Sequence, residues 1–137
     1  MLPIKKNQIS HILLCDHYVG DAAGKPSFIG VFESVTLQNV PGALARFFFV
    51  ASVRNASATR VEIVLTQPDG TSNALISQEL PVDAREQPNF NFAIEFANLP
   101  FTQVGTHKMA LKLDDRVLGS IDLAVVKGNP PNASDQS

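Results

Sequence analysis

Phe90-Asn91-Phe92-Ala93-Ile94-Glu95-Phe96 alternates large apolar side chains with small or polar ones along its whole length. In an extended chain successive side chains point to opposite faces, so such a segment buries one face and wets the other. A helix would scatter the same residues around its circumference. The segment is read as a half-buried strand, and much of the chain follows its rule.

In residues 44–54, Phe47, Phe49, Ala51 and Val53 share one side, while Arg46, Phe48, Val50, Ser52 and Arg54 share the other. The uncharged set is the expected core face. Residues 60–66 point Val61, Ile63 and Leu65 one way and Glu62 the other. Met109, Leu111 and Leu113 alternate with Lys108, Ala110 and Lys112, and residues 117–126 place Ile121, Leu123 and Val125 together. Residues 10–18 and 74–80 complete the simple strands.

Residues 28–38 are less regular: Ile29, Val31, Glu33, Val35 and Leu37 share a face, and Glu33 interrupts it. A bulge at Glu33, or an edge position for it, is expected.

Turn chemistry separates these segments. Gly20-Asp21-Ala22-Ala23-Gly24-Lys25-Pro26, Asn39-Val40-Pro41-Gly42, Gln67-Pro68-Asp69-Gly70 and Asp114-Asp115 are each read as turns. The stretch from Pro81 through Arg85-Glu86-Gln87-Pro88 has room for a brief helical turn, and residues 97–105 read as irregular. No run of ten residues keeps a helical period. The expected fold is an all-β antiparallel sandwich of about seven or eight strands, with immunoglobulin-like or related Greek-key topology. One domain over residues 1–127 and a flexible tail over 128–137 are expected.

Composition excludes several classes of function. The 137 residues carry a formal charge of -2, which argues against non-specific nucleic-acid binding. Nine Phe, one Tyr and no Trp give an aromatic core but no obvious platform for sugars. Cys15 is the only cysteine, which suits a reducing compartment. Residues 1–7 do not read as a signal peptide, and no apolar run is long enough to span a bilayer. A cytoplasmic protein with no membrane partner is expected.

The motifs that suggest chemistry are weak. Gly20 through Ser27 resembles a phosphate-binding loop only faintly: three residues separate the glycines, Pro26 follows Lys25, and a strand comes next. His11, Cys15 and His17 share parity with Leu13, but residues four apart on a strand are roughly 13 Å apart, too far to share one ion. His107 could join them only from another strand. Asp114, Asp115 and Asp122, with Asp69 and Asp83 elsewhere, fall short of a calcium cage. Asp16, with Lys25 as one potential partner, is read as a polar structural site rather than a catalytic one. No catalytic residue, metal site or cofactor is expected.

The feature that points to function is an apolar surplus. Phe28, Phe32, Phe48 and Val50 have the opposite parity to the core faces chosen above, and together they would form an interface. The competing reading covers them with a bulge or with a loop such as residues 97–105.

His11-Ile-Leu-Leu-Cys-Asp-His-Tyr18, followed by Gly24-Lys-Pro-Ser-Phe-Ile-Gly-Val-Phe-Glu33, resembles the opening of a family of uncharacterised bacterial all-β proteins. Asp16, Gly24, Lys25 and Gly30 match its recurring positions, and the likeness extends through Gln67-Pro68-Asp69-Gly70 and residues 105–113. The resemblance implies a compact bacterial cytoplasmic domain, with a phage or mobile-element origin suggested, and brings no established activity. The expected role is a non-enzymatic interaction or assembly domain with a protein or homo-oligomeric partner. A small-ligand module is the alternative, and a hydrolytic or metal-dependent enzyme stands third.

Overall fold

The computed structural model describes residues 6–20 and 25–128. Among them run β1 (Gln8–Gly20), β2 (Pro26–Phe32), β3 (Ser34–Leu37), β4 (Gly42–Ser57), β5 (Arg60–Thr66), β6 (Ser72–Glu79), β7 (Glu86–Phe101), β8 (Gly105–Leu113) and β9 (Arg116–Lys127). A single 3-10 turn, Val82–Ala84, precedes β7. One sheet has the order β2-β1-β4-β7 and the other β3-β9-β8-β5-β6. Every pairing is antiparallel except β3 with β9. No helix among the described residues is long and apolar enough to cross a membrane.

The core is the space between the inward faces. Phe47, Phe49, Ala51 and Val53 of β4 pair with Phe96, Ile94, Phe92 and Phe90 of β7, and all eight join one apolar cluster. Ile63, Leu65, Met109, Leu111, Leu123 and Val125 meet them from the other sheet. The alternation expected of β4, β5, β7, β8 and β9 therefore holds, because a two-sheet sandwich hides one side of each strand. Strand order adds a family likeness in shape. β9-β8-β5-β6 and β1-β4-β7 reproduce the GFCC′ and ABE arrangements of immunoglobulin domains, with β2 and β3 added.

Two segments differ from the sequence reading. Residues 28–38 are two strands in different sheets: the chain leaves β1 after Phe32, crosses at Glu33 and joins β9, and the Glu33 carbonyl accepts the Ala124 amide at 2.9 Å. The interruption by Glu33 is thus a crossing between two edge strands, in keeping with the expected edge position, rather than a bulge. Residues 97–101, read as irregular, extend β7 to Phe101, whose ring is buried.

The turns follow their residues. Gly70 donates its amide to the Gln67 carbonyl at 2.9 Å and takes a φ of 91° that glycine adopts without strain. Asp114 and Asp115 both have positive φ, which gives the mirror-image turn that suits a two-residue hairpin. Residues 21–24 of the glycine-containing loop, and the tail from 129 onward, lie outside the described residues.

Candidate functional site

The hairpin of β1 and β2 does not continue as a flat extension of its sheet. Register is kept throughout, from Leu14 opposite Phe32 to Gly20 opposite Pro26. By alternation, Tyr18 and Phe28 belong on the side of Leu14 and Phe32, which is the core side. Yet Tyr18 lies 5.9 Å from Phe28 and 6.4 Å from Phe48, and Phe28 lies 5.6 Å from His11, with Phe48 and His11 both on the outer face. The ribbon therefore rolls over between Cys15 and His17. Gly30 stands opposite Asp16 at that point with a φ of 72°, and an added Cβ would lie 2.5 Å from the Asp16 carboxylate. Only glycine lets the two strands cross this closely.

The rolled-over end covers the outer face. Val50 is 3% exposed, Ser52 8% and Cys15 0%, although all three point away from the sandwich core. Ser52 donates its hydroxyl to the Asn91 side chain beside them. Arg46 closes the cluster's other side, its guanidinium 5.4 Å from the centre of the Phe48 ring and 2.5 Å from Glu95. Burial pushes the Cys15 thiol above its ordinary pKa, and the neighbouring Asp16 charge adds to the effect. This is a shielded thiol rather than a nucleophile.

The four apolar residues singled out from sequence thus divide. Phe28, Phe48 and Val50 do meet on the outer face, but the hairpin's own end occupies the surface they make. Phe32 goes elsewhere: it packs edge-on against Phe47 at 6.0 Å on the core side, because the roll at Gly30 comes between it and Phe28. The cover is neither a bulge nor residues 97–105. Asp16 and Lys25 are both exposed, and the Asp16 side chain packs over Gly30.

The groups that carry chemistry are dispersed. His11 lies under the hairpin, His17 is on its exposed side, and His107 sits on β8 of the other sheet, fully buried. The His107 Nδ1 lies 3.1 Å from the Gly105 carbonyl, and its Nε2 has no hydrogen-bond partner among the described residues. No group of three or more His, Cys, Asp or Glu side chains able to hold a metal occurs among the described residues. Asp114 instead accepts hydrogen bonds from the Thr59 amide and hydroxyl and the Arg60 amide, at 2.8–3.0 Å, and Asp122 pairs with Lys108 at 3.5 Å.

Two cavities are relevant to a ligand. The one between the hairpin and its sheet, lined by His11, Tyr18, Phe28, Val50 and Phe92 among others, measures about 10 Å³, space for a single water at most. The other, about 460 Å³, is an open groove over β8 and β9, lined mainly by Glu33, Thr106, Lys108, Ser120 and Asp122. Such a lining lacks the apolar walls that enclose a small molecule.

Exposed apolar side chains gather instead on the hairpin's solvent side. Val19 and Ile29 are 52% and 54% exposed there, whereas Val31, 57% exposed, lies before the roll, opposite Cys15. His17 pairs with Ile29, and Val19 pairs with Ser27 two positions along, so Val19 and Ile29 are diagonal neighbours on one face. Sequence periodicity could not find this pair, because the roll at Gly30 decides which side faces water.

A family model described as a family of unknown function (DUF6941) matches residues 10–126. None of the curated proteins matches the chain. Among solved structures, the alkylpurine DNA glycosylase AlkC of Pseudomonas fluorescens, bound to DNA containing an abasic site analogue, is similar over 88% of this chain, with a TM-score of 0.50 and 11% identity. This chain spans 30% of that protein's length. An immunoglobulin-like protein from Pseudomonas aeruginosa is similar over 88% of this chain and 97% of its own, with a TM-score of 0.43 and 14% identity. At these identities the likeness concerns the fold alone.

Proposed function

The chain belongs to the DUF6941 family of unknown function, and we propose that it serves there as a non-catalytic interaction domain. Its working surface is the solvent side of the β1–β2 hairpin. The observation that carries this reading is the exposed pair Val19 and Ile29 on an element packed against its own sheet through Tyr18 and Phe28. A hairpin pinned by Tyr18 and Phe28 presents its other face without an ordering cost on binding, which is what preorganised interfaces exploit. The partner is a protein with an apolar complement, met in the cytoplasm of a bacterium. The shielded lone thiol and the family resemblance support that location. A ligand module finds less support, since the cavity under the hairpin is too small for an organic molecule. Net charge of -2 gives no support to nucleic acid as the partner.

The test places a photo-crosslinking amino acid at position 29 in cells that produce the protein. A discrete protein adduct that disappears when Val19 is replaced by Lys supports the reading. Val104, equally exposed at 53% and outside the hairpin, serves as the control position. Crosslinking at 29 no stronger or more selective than at 104 would sink the proposal.

A further inference from the structure

The four-stranded sheet has a second edge, formed by β7. β7 pairs with β4 on one side and, among the described residues, with no strand on the other. An open edge is a row of unpaired backbone donors and acceptors, and natural sheets blunt it with Lys, proline, bulges or inward-pointing charge. β7 carries such devices only at its ends: Pro88 at one, and Asn98 with a φ of 55° followed by Pro100 at the other. Residues 89–97 between them are unprotected, and their only charged side chain, Glu95, is held by Arg46 on the outer face.

The core side of the same stretch is unfinished. Phe90, Phe92 and Ile94 are only half-buried, whereas their β4 partners Val53, Ala51 and Phe49 are 0% exposed. The facing edge strand, β6, likewise leaves Leu75 and Ile76 half-buried. Apolar surface and free backbone therefore run side by side, which is the requirement for strand addition.

We infer that β7 pairs with β7 of a second copy of this chain, antiparallel about a two-fold axis through Ala93, to make one continuous eight-stranded sheet. The stretch itself selects the occupant. Its midpoint between Pro88 and Asn98 is residue 93, the register that uses all of the unprotected window. In that register Phe92 meets Ile94 of the partner and Phe90 meets Phe96, so each copy covers the other's half-exposed rings. On the outer face Asn91 meets Glu95, an amide against a carboxylate, and the small Ala93 meets itself on the axis. Moving the axis to residue 95 would set Glu95 against its own image, which like-charge repulsion disfavours. A self-complementary patch of this kind is what a two-fold interface demands.

The test is sedimentation of the full chain over a wide concentration range, with paired charge variants of exposed Asn91. Asn91→Glu puts two acidic contacts across the axis and is expected to weaken the dimer about tenfold, while Asn91→Lys tightens it. Ala93→Cys is expected to give a disulfide-linked dimer under mild oxidation, and Val82→Cys, 79% exposed but outside the strand, is not. Circular dichroism of each variant separates loss of pairing from loss of fold. A monomer at high concentration, or a dimer indifferent to both Asn91 variants, overturns the inference. The hairpin reading would survive either result, because Ile29 belongs to β2 and is exposed on the hairpin's solvent side, not on β7.

Discussion

His11 packs edge-on against Phe28, 5.6 Å between ring centres, although the strand partner of Phe28 is Tyr18, seven residues further along β1. Seven residues of straight strand span roughly 23 Å, so the contact exists only because the hairpin turns back on its own sheet. The turning point is Gly30 against Asp16, and the consequence is a second, smaller apolar layer outside the sandwich.

Gly30→Ala should release that layer. A Cβ there would meet the Asp16 carboxylate at 2.5 Å and its Cβ at 3.0 Å, and the φ of 72° disfavours any L side chain. The left-handed conformation alone costs roughly 1–2 kcal/mol. Cys15, buried beneath the hairpin, is the reporter. Its labelling by a thiol reagent at neutral pH is expected to be slow in the native chain and at least about fivefold faster in the variant, taking the conformational cost as the lower bound. Equal rates would show that the hairpin does not cover the thiol.

Phe28 and Phe32 have the same parity and opposite fates, and the energetics should show it. Phe32 joins the main core and touches Phe47, so Phe32→Ala should cost about 3 kcal/mol in urea denaturation. Ile29→Ala, on the hairpin's exposed side, should change stability by no more than about 0.5 kcal/mol. A reversed order would mean that the roll at Gly30 is misplaced.

These residues also show what periodicity can and cannot reveal. The strands of the central sandwich were legible because a single repeated choice, apolar inward and polar outward, fixes β4, β5, β7, β8 and β9. Glu33 was visible as an interruption, though not as the point where the chain changes sheets, since crossing and bulge leave the same mark. Gly30 left no mark: a glycine in an apolar strand does not announce which way the ribbon will roll. The hairpin's exposed face follows from the roll at Gly30 and the open edge of β7 from strand order, and alternation contains neither.

His107 gives a test of the buried polar atom. Its Nε2 is enclosed without a hydrogen-bond partner among the described residues, an uncompensated loss of solvation. His107→Leu removes that atom together with the Nδ1 contact to Gly105, and chemical denaturation should find stability within about 1 kcal/mol of the native chain or above it. His107→Ala should cost about 2–4 kcal/mol through the cavity left against Phe101. If Leu proves as damaging as Ala, the imidazole has a partner that its surroundings do not reveal.

Asp114 ties the β8–β9 turn to the start of β5. Slight burial raises its pKa, but the hydrogen bonds from Thr59 and Arg60 and the charge of Arg85 outweigh that, and the carboxyl is held below its ordinary value. A depressed carboxyl contributes stability that is fully present above its unfolded pKa, about 3.9, and is lost as pH falls through the lower folded value. Asp114→Asn keeps an acceptor and tolerates the positive φ, so it removes mainly the charge. Because the group is exposed, the difference at neutral pH should be small, about 0.5–1 kcal/mol. It should shrink below pH 4 as the native carboxylate takes up its proton, and denaturation curves at pH 7 and pH 3 for the two chains measure it. A gap that widens with acid would mean that the native carboxyl is stabilised in its protonated form, contrary to the three donors that converge on it.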